Sequence, residues 1–366
     1  MTIATPIHLA DRNWYISEIH DQILIATTGD MMRKQGLVVL LAGVLALGSL
    51  PAVTEAAPSL LQKTIADTGT DVYAGKVWRV DAVDRDKLPR NFRTTQSAFR
   101  DPDKKNHFDK GYVPTRQGLD KLDASGSAQY SVHEFKQMAA ELKKLAHGPI
   151  YIFDLRQETH GFINGNAVSW YGRRDWGNVG KSHKAAIKDE KERLQAVKGK
   201  LVQLSPLDKD KKAADLQLVK VESAMTEAEL VRSAGMHYVR ITATDHVWPA
   251  AGNIDAFIKL YRKLPQNAWL HFHCEAGKGR TTTYMSMYDM MRNPEVPLKD
   301  ILYRQHMIGG NYVGYRPKAG EGGWKAPYYN EKADNIAVFY KYVQANHKNG
   351  YKVLWSQWLK EYEQNK

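Results

Sequence analysis

Cysteine is nearly absent from this chain, which carries one such residue, Cys274, in 366. That scarcity excludes a disulfide framework and every metal site built on several thiolates, and leaves Cys274 either inert in the core or at work. Long apolar runs are missing as well. The most apolar stretch, residues 37–50, has 14 residues, short of the roughly 17–25 that span a bilayer. There are no internal repeats or low-complexity tracts, and 43% hydrophobic with 25% charged residues is a globular composition, so disorder, collagen and coiled coil drop out. Acidic residues are the minority, 40 against 52 Lys and Arg for a formal charge of +12. An excess of that size points to an anionic partner without saying which.

A basic n-region, Met31-Met32-Arg33-Lys34-Gln35, leads into that apolar stretch, the pattern of a secretory signal rather than of a retained anchor. Cleavage is expected after Ala56, with Thr54 and Ala56 as the small residues the peptidase reads and no cysteine nearby for lipidation. The product would be exported, periplasmic or secreted, with no membrane anchor after cleavage. Residues 1–30 carry neither a signal nor an amphipathic pattern, so translation is expected to begin at Met31 or Met32. Residues 1–56 hold three basic and five acidic residues. The positive excess therefore belongs to residues 57–366, expected to form one domain.

Within that domain, strand-like apolar runs alternate with helical patterns, which predicts an α/β sheet covered by helices. Strands are expected at 150–154, 238–241 and 269–273, and helices at 132–145, 254–264, 281–291 and 332–346, where apolar residues recur at three- and four-residue spacing. Between about 161 and 223 the texture changes to a Gly/Trp/Arg-rich stretch, a charged helical run at 184–200 and two short alternating segments, 201–204 and 216–221. This reads as a small inserted β-containing subdomain.

The sharpest local signal is WLHFHCEAGKGRTT from Trp269, a buried strand ending at Cys274, a glycine-containing loop and a helix opening near Thr281. Cys, five residues, Arg is a spacing that lets a loop curl around one tetrahedral anion. Backbone N–H groups from Glu275 through Ala276, Gly277, Lys278 and Gly279 to Arg280 would point inward. Gly277 and Gly279 would permit positive φ or close approach, and Arg280 would fork onto two phosphate oxygens. The helix dipole adds to these donors, and together they favour a nucleophilic thiolate at Cys274. His273 is expected to orient the loop through backbone hydrogen bonds, and Thr281 to donate to the sulfur. A buried inert cysteine, or a metal held by His271, His273 and Cys274, would ask for neither the glycines nor the arginine at these offsets.

HCEAGKGRT resembles the signature loop of the protein tyrosine phosphatase superfamily. NFRTT from Asn91, YIFDLRQETHGF from Tyr151, VSWYGRRDWGNVGKSHK from Val168, ITATDHVWP from Ile241, DILYRQHMIGG from Asp300 and WKAPYYNEK from Trp324 are similar to the bacterial phosphatase-like inositol phosphatases, the cysteine phytases. The resemblance runs from about Pro89 to the C-terminus. It implies a phosphatase-like central sheet flanked by helices, a partial-barrel inserted subdomain and hydrolysis of inositol polyphosphates, phytate above all, without a metal or organic cofactor.

By the same resemblance Cys274 is the nucleophile, Arg280 the phosphate binder and Asp245 the general acid. Asp245 lies 29 residues before Cys274 in TDHVWPA; the alternative is that it caps a helix opening near Asn253, which Asn253 can cap unaided. His246 is the rival acid, or a loop histidine touching substrate phosphate. Arg93, His183, Lys184, Lys325, Tyr329 and Lys332 would contact non-scissile phosphates, and Asp154 would lie at the edge of the inositol. Asp154 could equally form a structural ion pair with Arg156. Lys278 would project at the pocket mouth towards a second phosphate. The same loop serves tyrosine and phosphoinositide phosphatases, and a non-catalytic inositol phosphate binder is a third reading, opposed by an intact Cys274, Asp245 and Arg280. A pI near 9.4 and nine Trp fit a nucleic-acid binder on charge alone, but no nucleic-acid motif is present.

Overall fold

The computed structural model describes residues 77–365 apart from 107, 110 and 207–214; the expected signal and its cleavage site lie outside the described residues. Among these residues the strands are β1 (Trp78–Ala82), β2 (Arg93–Thr94), β3 (Ala124–Ala128), β4 (Ile150–Asp154), β5 (His160–Ile163), β6 (Asn166–Trp170), β7 (Leu201–Ser205), β8 (Gln217–Lys220), β9 (Ala224–Met225), β10 (His237–Arg240) and β11 (Trp269–Cys274). The α-helices are α1 (Val132–Leu145), α2 (His183–Val197), α3 (Glu227–Ser233), α4 (Ala251–Tyr261), α5 (Gly279–Arg292), α6 (Leu298–Met307), α7 (Ala326–Asn346) and α8 (Trp355–Gln364).

The central sheet has the order β10-β4-β11-β3-β2, parallel except for β2. Its middle strand, β11, is buried along its whole length, and its period of two divides the side chains cleanly. Leu270, Phe272 and Cys274 pack with Phe153, Phe257, Tyr284 and Phe339 under α4, α5 and α7. Trp269 points the other way, with Phe135, Met138, Leu142, Leu230 and Val231 of α1 and α3. Cys274 therefore stands at the C-terminal end of the central parallel strand, where open α/β sheets place their ligands.

Helix α1 follows from its sequence. Ser131 caps it in a reciprocal box with Glu134, and Phe135, Met138, Ala139 and Leu142 recur on one buried face. Strand β3 does not announce itself, because ASGSA has no β-branched or aromatic residue. Its smallness serves packing: a Cβ at Gly126 would lie 2.8 Å from Met285 Sδ and from Thr281 Cγ2, so α5 rests directly on the strand.

The second sheet has the order β8-β7-β1-β6-β5-β9. The expected insertion at 161–223 is not self-contained, because β1, from residues 78–82, sits inside this sheet, antiparallel to β6 and parallel to β7. Trp78 joins Ile163, Val168, Leu194 and Leu204 in its core, and β8 and β9 are its outermost strands among the described residues.

Candidate active site

The loop after β11 is shaped from outside. Gln129 N–H donates to Glu275 O at 3.0 Å, Asn91 Nδ2 to Ala276 O at 2.8 Å and Arg93 Nη1 to Gly277 O at 2.8 Å. All described peptides are trans, so each carbonyl turned outward sends the next residue's N–H the opposite way. The amides of Ala276, Gly277 and Lys278 thus converge on the concave side, a nest for an anion. Thr281 Oγ1 donates to Cys274 Sγ at 3.2 Å.

Two glycines were expected to be needed here, and the backbone requires one. Gly277 has φ +68, and a Cβ there would lie 2.3 Å from Ala128 N; at Gly279 φ is ordinary and nothing stands within 4 Å. Gly277→Ala is accordingly expected to lose at least about tenfold in kcat/KM and to lower Tm, from left-handed strain of about 1–2 kcal/mol plus the clash. Gly279→Ala should leave Tm within about 2 °C, its helical position being sterically open. Thermal melts and aryl phosphate kinetics of the two variants check this, and equal loss in both would contradict it.

Arg280 is held before any phosphate arrives. Its Nη1 and Nη2 donate to Glu158 Oε2 and Oε1 at 2.7 and 2.8 Å, and Nη1 also reaches Ala243 O at 3.1 Å. Glu158 thereby takes the end of the guanidinium and leaves the Nε and Nη2 edge as the fork for an oxyanion. Asp245 Oδ1 lies 3.1 Å from that Nε. Burial would raise the Asp245 carboxyl, but Arg280 and then His246 outweigh it and hold it below the usual range. Asp245 is pinned from above as well, since Trp176 Nε1 donates to its carbonyl at 2.9 Å. Glu158 carries no signal of its own beyond its place after the strand in DLRQE.

The helix-cap alternative for Asp245 is overturned. Helix α4 opens at Ala251 with no side-chain cap, and Asn253 Nδ2 donates instead to Thr242 O at 3.0 Å. His246 is not a solvent-exposed histidine: it sits at φ +69, half-buried, edge-on to Trp324 at 5.0 Å, with Nε2 3.1 Å from Asp245 Oδ2. Burial pushes its pKa down to about 4, Lys325 and Lys332 pushing the same way against Asp245. A neutral imidazole there lies against Asp245 and offers no positive charge to a phosphate.

Four other expectations need correction. His273 was to bond backbone, but its Nε2 meets the Glu227 carboxylate at 2.6 Å, which also accepts the Tyr130 hydroxyl at 2.6 Å. Asp154 is fully buried, away from any inositol edge: Arg240 Nη1 lies at 2.7 Å, the Tyr238 hydroxyl at 2.6 Å and His160 Nε2 at 3.0 Å. The Asp154–Arg156 ion pair does not form either, because the Arg156 guanidinium goes to Glu158 at 2.9 Å and Asp81 at 2.7 Å. Arg93 is buried and spends its guanidinium on Gly277 O and Thr282 Oγ1, so it props the loop from behind rather than meeting substrate. Arg93 and Asp154 were expected at the substrate by resemblance, and a charged side chain serves a buried network as readily as a binding surface.

His160, bridging Asp154 and, at 3.4 Å, Glu227, is raised to about 9: burial lowers it, and Asp154 more than compensates. His271, the third histidine near the loop, is hydrogen-bonded to Ser125 at 2.9 Å and Ser127 at 3.0 Å and does not face the sulfur, since it shares the face of β11 opposite Cys274.

Cations and rings surround the mouth. Lys332 on α7 is half-buried and lies within the fields of Asp245, Cys274 and Lys325. Burial brings its pKa down to about 8, against the pull of Asp245. Lys325 lies 5.3 Å over the Trp324 ring, and Tyr329, next to Tyr315, feels the Asp245 carboxylate. His183 and Lys184 are exposed at the start of α2, His183 Nδ1 3.4 Å from Thr242 Oγ1 in the segment that leads to Asp245. Sequence reasoning missed Asp175. It is buried against Arg79 at 2.8 Å and takes a left-handed φ of 62°, as does Arg174 before it at 63°. Burial raises it to about 7 despite Arg79, with Glu158 and Asp245 adding their repulsion.

A family profile described as PTPlike_phytase, inositol hexakisphosphate, matches residues 153–292. A PTP-like phytase structure from Bdellovibrio bacteriovorus is 36% identical, with a TM-score of 0.58; the match covers 74% of this chain and 89% of that one. The chain belongs to the PTP-like phytases. The tandemly repeated PTP-like phytase of Mitsuokella multacida is 58% identical over 78% of this chain, with a TM-score of 0.76. The same identity and TM-score relate the chain to a Mitsuokella multacida PTP-like myo-inositol phosphatase solved with myo-inositol-(1,3,4,5)-tetrakisphosphate. The chain spans about half the length of those two chains (49%). Effector protein hopD2 of Pseudomonas syringae pv. tomato is 28% identical over 75% of this chain and 58% of its own.

Proposed function

We propose that this protein is a phosphomonoesterase that removes phosphates from inositol polyphosphates, phytate above all, through a phosphocysteine intermediate. The observation that carries the reading is the inward nest of amides around Cys274, with the free edge of Arg280 and the Asp245 carboxyl 3.1 Å apart beside it. A phosphate entering the nest competes with Asp245 for that edge. Once displaced, the carboxyl loses the charge that depressed it and faces phosphate oxygens, so it takes up a proton. Cys274 Sγ then attacks phosphorus, the P–O bond to the ring breaks, and Asp245 passes its proton to the leaving oxygen. The resulting carboxylate removes a proton from water as that water attacks the phosphocysteine, releasing phosphate and the thiolate.

Lys325 and Lys332 are the cations that favour a polyphosphorylated ring over a simple ester, and the tetrakisphosphate bound to the Mitsuokella relative supports a substrate of that class. Lys332 loses charge as pH rises through about 8, so phytate KM is expected to climb there. Lys325→Ala and Lys332→Ala should raise KM for phytate about tenfold, or ~1.4 kcal/mol each, and for an aryl phosphate little. The test is phosphate release from phytate beside a phosphotyrosine peptide, with salt added in steps. Charges screened beyond about 8 Å at physiological ionic strength should weaken phytate turnover alone. The hopD2 similarity keeps one rival in view, a phosphatase acting in another cell; faster cleavage of the peptide, or equal losses on both substrates, would install it.

We further propose export on the strength of residues 31–56. Terminal sequencing of the mature protein should find Ala57 first, and a retained Met31 or Met32 would contradict export by this signal.

A further inference from the structure

Cations gather around one backbone turn beside the nucleophile loop, next to β2. The turn is Gly309–Gly310 after α6, closed by Gly309 N–H donating to His306 O at 2.8 Å and by His306 Nδ1 bonding Gly310 O at 2.9 Å. Lys278 Nζ donates to Gly309 O at 2.8 Å. Gly309 has φ +124, and a Cβ there would lie 3.0 Å from Arg100 Nη2 and 3.1 Å from Arg93 Cδ. Two arginines and a lysine therefore press on the same glycine, and Lys105 lies within the electrostatic range of Lys278.

Little opposes these charges. Burial pulls Lys278 down to about 8, Arg93, Arg100 and Lys105 push it the same way, and Asp103 pulls back. No ion pair engages Arg100, Lys105 or Lys278 among the described residues. Arg93 is buried and committed to the loop, so it supplies field rather than contact. Arg100 and Lys105 are exposed and reachable. Like charges crowded at a rigid turn raise the energy of the folded chain, and a bound anion relieves it. The group is separate from Lys325 and Lys332, whose fields fall on His246 and, for Lys332, on Asp245 and Cys274.

We propose that Arg100, Lys105 and Lys278 at the Gly309 turn form a second anion site that takes a phosphate dianion, beside the one that receives the scissile phosphate. The Arg100 fork matches two phosphate oxygens, and Lys278 keeps two N–H donors after serving Gly309 O. The dianion comes either from a non-scissile phosphate of the substrate, a use that rests on the inositol polyphosphate reading, or from free inorganic phosphate.

Equilibrium dialysis of the full chain against radiolabelled inorganic phosphate should find two phosphates per chain. An R100A/K105A double variant should bind one, with kcat/KM for an aryl phosphate unchanged within about twofold as proof of an intact fold and catalytic site. One phosphate bound by the parent chain, or two by the variant, overturns the site. Kinetics then separate the sources. A five- to tenfold rise of phytate KM in the variant assigns the site to substrate, and unchanged KM with about fivefold weaker inhibition by inorganic phosphate assigns it to the free anion. Neither change would overturn a functional site, and two bound phosphates in a chain that leaves phytate intact would defeat the phytase reading while keeping this one.

Discussion

Cys274→Ser should leave no measurable phosphate release while phosphate esters still bind. The anion nest is made by backbone amides whose carbonyls are held by Gln129, Asn91 and Arg93, and by Arg280, which Glu158 holds in place; none of these depends on sulfur. What the variant loses is the nucleophile, because a serine hydroxyl stays protonated where a thiol ionises. A fall in turnover beyond about 10⁴-fold is expected, on the scale of losing an activated nucleophile. The checks are turnover by phosphate release and binding of phytate by calorimetry. Appreciable turnover in Cys274→Ser, or loss of wild-type activity on adding a chelator, would replace the thiolate mechanism with a metal-assisted one. Equally weak binding and turnover would mean that the substitution had collapsed the loop.

Asp245→Asn should lower kcat for phytate by about 10²–10⁴, the range of a lost general acid. The loss should be smaller for an aryl phosphate, whose oxygen leaves without help. The pH profile gives an independent sign. In the free enzyme Arg280 holds Asp245 low, so its protonated, competent form is depleted as pH rises. Above that depressed pKa, kcat/KM for phytate should fall with increasing pH along a limb that Asp245→Asn lacks. Equal losses on the two substrates, with the limb intact in the variant, would assign the proton to another group. His246, already neutral, is poorly placed to take it, since it would have to give up a proton from a neutral ring.

By itself the sequence placed several of the elements and singled out Cys274 as the candidate nucleophile. Strand β4 and helix α1 fall where their periodicity predicts, and the Cys274-to-Arg280 loop is legible because seven consecutive residues carry its chemistry and one strand fixes its start. Asp245 is legible through a short motif of the same kind. Only the tertiary structure decided which other charged residues face the site. Glu158 meets Arg280 across 122 positions, Glu227 meets His273 across 46, and Arg93 reaches Gly277 across 184, distances at which local periodicity holds no information. The structure moved Arg93 behind the loop and Asp154 into a buried network, brought in Asp175, and gave Lys278 to the Gly309 turn. A side chain's type says that it needs a counter-charge or water; which of these it finds is set by the packing of strands distant in sequence, as when ASGSA, too small to read as a strand, becomes β3 because α5 must rest on it.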